Sequence, residues 1–156
     1  MAVLRTFLFL VMALLLTARS AFALSIPAES LQKLVKMDGS SFALEKRKAV
    51  LYFWASWCPS CRQKLGKGFP EIDRTKAAFL AVNTDADLSR AKHLLEREKY
   101  SVDIVRESGK DIATQLKVVS MPTWVVLSKE EGGSWKVVDQ DTGENMGKLL
   151  QAVGKE

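Results

Sequence analysis

The sequence predicts an α/β fold in which a central mixed β-sheet carries helices on both faces. Three observations predict it. Residues 49–55 (AVLYFWA) form an unbroken apolar run, aromatic and branched, as expected of a strand buried on both sides. Further apolar runs at 77–82 (AAFLAV) and 121–127 (MPTWVVL) alternate with stretches of helical periodicity. A glycine pair, Gly132 and Gly133, then separates the last of these runs from SWKVV at 134–138, the pattern of an antiparallel hairpin.

Taken in order, residues 1–23 stand apart from that domain. Arg5 precedes an apolar stretch at 7–17, and Ala21 and Ala23 form an A-x-A cleavage signal. The stretch is shorter than the roughly 20 residues that span a bilayer, and Arg19 interrupts it. Residues 1–23 therefore read as a secretory signal peptide, cut before Leu24, with an uncleaved membrane anchor as the alternative. Residues 24–156 are then one domain. The strand at 49–55 leads at once into WCPSC at 57–61. Pro59 suits a first helical position, because its φ is pre-set and its missing N–H is not needed there. Cys58 is then the N-cap and Cys61 lies in the first turn. Gly66, Gly68 and Pro70 predict a bend in this helix.

After the strand at 77–82, residues 85–100 predict an amphipathic helix with Leu88, Ala91, Leu94 and Leu95 on one face. A short strand follows at 102–105. Ser108 can cap a second short helix that carries Ile112 and Leu116. The chain ends in a helix with Met146, Leu149, Leu150 and Val153 at helical spacing.

Composition narrows the function. Hydrophobic residues are 47% and charged residues 26% of the 156, as in a packed globular protein. The net charge of +5 includes Arg5 and Arg19, so the exported chain carries only +3, with charges of both signs interspersed. A nucleic-acid surface needs a stronger basic stripe than the EKRK at 45–48. No organic or haem cofactor motif is present. Export places the thiols in an oxidising space, where disulfides persist.

Cys58 and Cys61 are the only cysteines, two residues apart. A disulfide staple, half of a metal site and a redox dithiol all fit that spacing. In a helical first turn residues three apart share a face, so the sulfurs can meet. So short a loop gives little entropic stabilisation, which weakens the staple. Structural zinc needs four ligands, and beyond the two cysteines the chain offers one histidine, His93, on the polar side of its predicted helix. Copper(I) can accept two thiolates, and so a copper carrier is the metal alternative. Exchange is the strongest reading, because a helix start activates the outer thiol. Lowering a thiol pKa by two units takes about 2.7 kcal/mol, of which the helix dipole supplies about 0.3–1. Capping hydrogen bonds from the backbone N–H of Ser60 or Cys61 must supply the rest.

FWASWCPSC at 53–61, followed sixty residues later by SMPTWVVL at 120–127, resembles thioredoxin-fold proteins. DGSSFALEKRKAVLYF upstream and the extra helix over 85–100, inserted in the middle of the fold, make it most similar to the exported TlpA/ResA-type thiol–disulfide oxidoreductases. The resemblance implies that Cys58 is the exposed attacking thiol and Cys61 the buried resolving one. Trp57, Pro59, Ser60, Met121 and Pro122 would face substrate, with Pro122 in cis. Trp54 and Trp124 are expected in the core. Implied partners are client proteins with disulfides or thiols and a membrane-bound thiol electron donor, in the periplasm or another extracytoplasmic space. The redox group would be the cysteine pair itself, with no cofactor and no metal. A non-catalytic client-binding module on the same fold is a further alternative. The pattern departs at Tyr52, where thioredoxin has a buried acid, and at Ala81, where it has the acid's lysine partner. Glu71, Asp73 and Asp85 are the candidates for handling the Cys61 proton.

Overall fold

The computed structural model describes residues 24–107, 109, 111–143 and 146–154. The expected signal peptide at 1–23 and the Ser108 cap lie outside them. Lys48–Trp54 forms β3, the middle of a seven-stranded sheet. It pairs in parallel with β4 (Ala78–Asn83) and antiparallel with β6 (Thr123–Lys129). Successive side chains of a strand point to opposite faces. Val50, Tyr52 and Trp54 accordingly enter one core, while Ala49, Leu51 and Phe53 enter the other. The apolar run is unbroken because neither face meets water.

The remaining strands flank this centre. β5 (Asp103–Glu107) lies parallel to β4, and β7 (Trp135–Thr142) completes the predicted hairpin with β6. The edges are β1 (Ser25–Ile26), paired with β7, and β2 (Leu34–Lys36), paired with β5. The order is β1-β7-β6-β3-β4-β5-β2. Helices cover both faces, as expected. α2 (Pro59–Lys67), α3 (Leu88–Arg97) and α5 (Met146–Gly154) send Cys61, Leu65, Leu94, Ala152 and Val153 into the first core. α1 (Ala28–Gln32) and α4 (Asp111–Gln115) send Leu31, Ile112 and Ala113 into the second.

Four features differ from expectation. β1, α1 and β2 occupy a stretch to which the sequence assigns no element. α2 does not bend but stops. Gly68 takes the left-handed conformation (φ 70°), and its N–H closes on the Leu65 carbonyl at 3.0 Å. The positive φ favours glycine at this stop, and a Cβ there would also make the Ser101 hydroxyl, 2.5 Å away, turn aside. α3 is shorter than 85–100, because Asp87 caps its start through the Ser89 N–H (2.9 Å) and Glu98 leaves it in extended conformation. β6 begins at Thr123, after the Met-Pro pair rather than with it. Among the described residues, no helix is long and apolar enough to cross a membrane.

Candidate active site

β3 delivers the chain to its C-terminal end, and residues 55–58 turn it into α2, with the Cys58 N–H on the Ala55 carbonyl (3.1 Å). Pro59 is the first helical residue and Cys58 the N-cap, as the sequence predicts. Cys58 and Cys61 are joined in a disulfide, S–S 2.02 Å. The Cys58 sulfur also accepts the Cys61 backbone N–H at 3.2 Å and has the Ser60 hydroxyl at 3.5 Å. Cys58, expected to be exposed, is 4% exposed because Ser60 and the start of α2 pack around its sulfur, and Cys61 is wholly buried, so Cys58 is the more accessible sulfur of the two. Trp57 beside it is 65% exposed, and Pro59 is exposed too. Once reduced, such a pair places one sulfur at a helix N-terminus, where amide N–H groups and the dipole favour an anion. The second sulfur stays within bonding reach.

The loop that presents the disulfide is held by residues that follow β4. The Asp85 carboxylate accepts the Ser56 N–H (2.8 Å), the Ser56 hydroxyl (3.1 Å) and the Asn83 side-chain amide (2.7 Å). Asn83 is buried, and its carbonyl oxygen takes the Asp85 N–H in return. Thr84 donates its N–H (2.9 Å) and its hydroxyl (3.2 Å) to the Trp54 carbonyl, and the same hydroxyl lies 3.8 Å from the Met121 sulfur. Met121 packs against the core that holds both cysteines. The Met121–Pro122 peptide is cis. The Pro122 carbonyl accepts from the Gly143 N–H (2.9 Å), and the Gly143 carbonyl accepts from the Trp124 indole (2.9 Å).

Beneath the disulfide lies an aromatic layer. Tyr52 sits opposite Ala81 on β4, both fully buried, where an acid and a lysine would be expected. Its hydroxyl donates to the Cys61 carbonyl at 3.4 Å, and its ring is 5.0 Å from Phe69 and 4.3 Å from Trp124. Trp54 and Trp124 are buried, as expected. Of the proton-handling candidates, Asp85 holds the loop and Glu71 is exposed. Asp73 takes the Thr75 hydroxyl and N–H, which hold its carboxyl below the usual range. None of the three hydrogen-bonds a cysteine among the described residues.

Sequence reasoning missed a second group next to the site. Arg62 directly follows Cys61, and its guanidinium donates to Glu98 at 2.6 Å. The Tyr100 hydroxyl donates to the other Glu98 oxygen. These two bonds, Tyr100 first, lower the Glu98 pKa, and the bond to Glu98 raises that of Arg62. Burial, then Glu98, pushes the Tyr100 phenol up to about 12. Arg62 and Glu98 are 36 residues apart and share no motif; only the exit of the chain from α3 at Glu98 brings the three together. His93 is exposed on α3, away from its buried face.

A family model described as the AhpC/TSA family matches residues 24–133. The sporulation thiol-disulfide oxidoreductase A of Bacillus subtilis (strain 168) is 23% identical over 112 residues, covering 68% of each chain. Among solved structures, a secreted Mycobacterium tuberculosis disulfide oxidoreductase homologous to E. coli DsbE aligns with TM-score 0.56 and 20% identity, over 80% of this chain and 96% of that one. The exposed lipoprotein thioredoxin Etrx1 of Streptococcus pneumoniae strain TIGR4 aligns with TM-score 0.61 and 22% identity, over 77% and 95%. These structural likenesses establish the thioredoxin-like fold.

Proposed function

The chain belongs to the AhpC/TSA family, and on that premise we propose that it is an exported thiol–disulfide oxidoreductase acting on client proteins in the reducing direction. One observation carries the chemistry: the Cys58–Cys61 disulfide caps the N-terminus of α2, with the more accessible sulfur receiving the Cys61 N–H. The B. subtilis relative, named a thiol-disulfide oxidoreductase, supports the activity. The secreted and surface-exposed proteins that share the fold support an extracytoplasmic place.

In the first step the Cys58 thiolate attacks one sulfur of a client disulfide. A Cys58–client disulfide forms, and the other client sulfur leaves as a thiolate. In the second, the Cys61 thiolate attacks Cys58 Sγ, the Cys58–Cys61 bond forms, and the second client sulfur leaves. Two electrons pass to the client, whose two thiolates take protons from solvent. The enzyme ends oxidised, so each turnover draws two electrons from a dithiol donor, which we assign to a membrane-bound relay. We assign the client-facing surface to Trp57 and Pro59, which are exposed, and to the half-buried Ser60 and Met121; Pro122, expected to face the client, is buried, so it shapes this surface from beneath.

Cys61→Ser tests the exchange. The reduced variant, mixed with a disulfide-bonded protein, should accumulate a covalent adduct that dithiothreitol releases, while wild-type protein accumulates none. Absence of the adduct, or one equivalent of bound copper(I) without exchange, overturns the proposal. The reduction potential tests the direction. Related folds span roughly −270 to −120 mV, and a value at the oxidising end contradicts the reducing role.

A further inference from the structure

Beside the disulfide runs a groove of about 260 Å³, lined by Trp57, Arg62, Arg90, His93, Leu94 and Arg97 among others. Three guanidiniums line it and no carboxylate does. Four acids stand near, all outside the lining: Asp85 is taken up by the Ser56 N–H and hydroxyl, and Asp87 caps α3 at the Ser89 N–H while its charge acts on Arg90. Glu98 is occupied by Arg62 and Tyr100, and Glu96 lies 3.9 Å from His93. Arg97 is 3.9 Å from the already engaged Glu98, and Arg90 has no ion pair within 4 Å among the described residues. Arg62 is held in place by Glu98, and its buried Nε has no acceptor there. Leu94 gives the groove a buried apolar floor, and Trp57 gives it an exposed aromatic rim.

We propose that this groove receives an acidic segment of the client polypeptide, flanking the client's reacting cysteine. The inference rests on the exchange reading above and adds the client's chemistry. Cys58 is nearly covered, so a client sulfur reaches it only with the neighbouring chain laid over adjacent surface. Neither cysteine lines this groove, but Trp57 and Arg62, the residues that directly precede Cys58 and follow Cys61, are two of its walls, so it borders the loop and helix start that carry the pair. An extended segment would stack an apolar side chain on Trp57 and present carboxylates to Arg90 and Arg97. Trp and Arg are the residue types that most often anchor interfaces, and guanidiniums match carboxylates in a two-pronged geometry.

The test compares two short synthetic peptides, each with one internal disulfide. One has Asp and Glu beside its cysteines, the other Lys. The reduced wild-type protein should reduce the acidic peptide about tenfold faster at low salt, because charges at an interface rim act mainly on association. Raising ionic strength from about 0.01 to 1 M shortens the screening length from about 30 to 3 Å and should bring the ratio towards one. The double variant Arg90→Glu, Arg97→Glu should lose or invert the preference. Lys76→Glu, at the opposite end of the sheet, should keep it. Equal rates for both peptides, or a preference that survives the double variant, overturn the proposal.

Failure of the exchange reading is separable. Turnover of the uncharged 2-hydroxyethyl disulfide without discrimination between the peptides sinks the groove alone. If nothing is turned over, the same peptides with serine for cysteine are titrated by tryptophan fluorescence. About tenfold tighter binding of the acidic peptide then upholds the groove without exchange, and equal affinities overturn it.

Discussion

The disulfide form has the Cys58 sulfur accepting the Cys61 N–H at 3.2 Å, and the reduced Cys58 thiolate should keep this bond at the helix start. A hydrogen bond to a charged group is worth about 1.5–3 kcal/mol, and the dipole of a helix of nine residues adds about 0.3–1. Together they favour the thiolate by about 2–4 kcal/mol. At about 1.4 kcal/mol per pH unit, ionisation moves roughly 1.5–3 units below the free-cysteine value of about 8.5. The Ser60 hydroxyl, 3.5 Å from the sulfur, is the perturbable part. At that distance its bond is worth about 1 kcal/mol, so Ser60→Ala should raise the midpoint by about 0.7 unit, with the helix intact. The assay is the pH dependence of iodoacetamide alkylation of the reduced protein, with thiolate absorbance near 240 nm as an independent readout. Alkylation midpoints at about 8.5 in wild type, or identical midpoints in wild type and Ser60→Ala, refute the reasoning.

Three further outcomes follow from the packing and the charges. Trp124→Ala empties a fully buried ring position and removes the bond to the Gly143 carbonyl, and should cost about 3–5 kcal/mol in urea unfolding; a change under 1 kcal/mol contradicts the aromatic layer. Asp85→Ala strips three hydrogen bonds from the active-site loop and should cost about 1–3 kcal/mol. Asp85→Asn should recover part of it, and an unchanged unfolding midpoint in the alanine variant rules out the bracing role. Asp38, Asp73, Asp87 and Glu98 all have lowered pKa values in the fold, from ordinary values of 3.8 for the aspartates and 4.5 for Glu98. Their stabilisation is therefore complete above those values and is lost as pH falls through the lowered ones, so the melting temperature should drop below about pH 4; a flat profile there is the contrary result.

The centre of the sheet and the cysteine pair were legible because each is specified locally. A strand buried on both faces must be apolar at every position, so 49–55 announces β3 without knowledge of its neighbours. Proline at the first helical position fixes where α2 begins and makes Cys58 its cap within five residues of chain. The cis bond at Pro122 was expected only through the family resemblance, since nothing in residues 120–127 alone requires it.

What the sequence withheld is what depends on distant partners. β1, α1 and β2 have two, five and three residues, too few for any periodicity to register. They form because Ser25 finds Lys136 and Leu34 finds Glu107 across the chain. The ends of α3 are a case where tertiary bonds override helical pattern. Asp85 and Glu98 both fall inside the periodic stretch, yet each carboxylate is drawn out of it, one by the Ser56 backbone and the other by Arg62 and Tyr100. Those two departures flank the disulfide loop and the Arg62 groove. Asp87 starts the helix by its own cap, and the residues just beyond the two ends, Asp85 and Glu98, are the ones that brace Ser56 and anchor Arg62. Local regularity was given up at both ends of α3 in favour of fixing the surface around Cys58, which is where a protein that must meet a partner's sulfur in a defined orientation needs its rigidity.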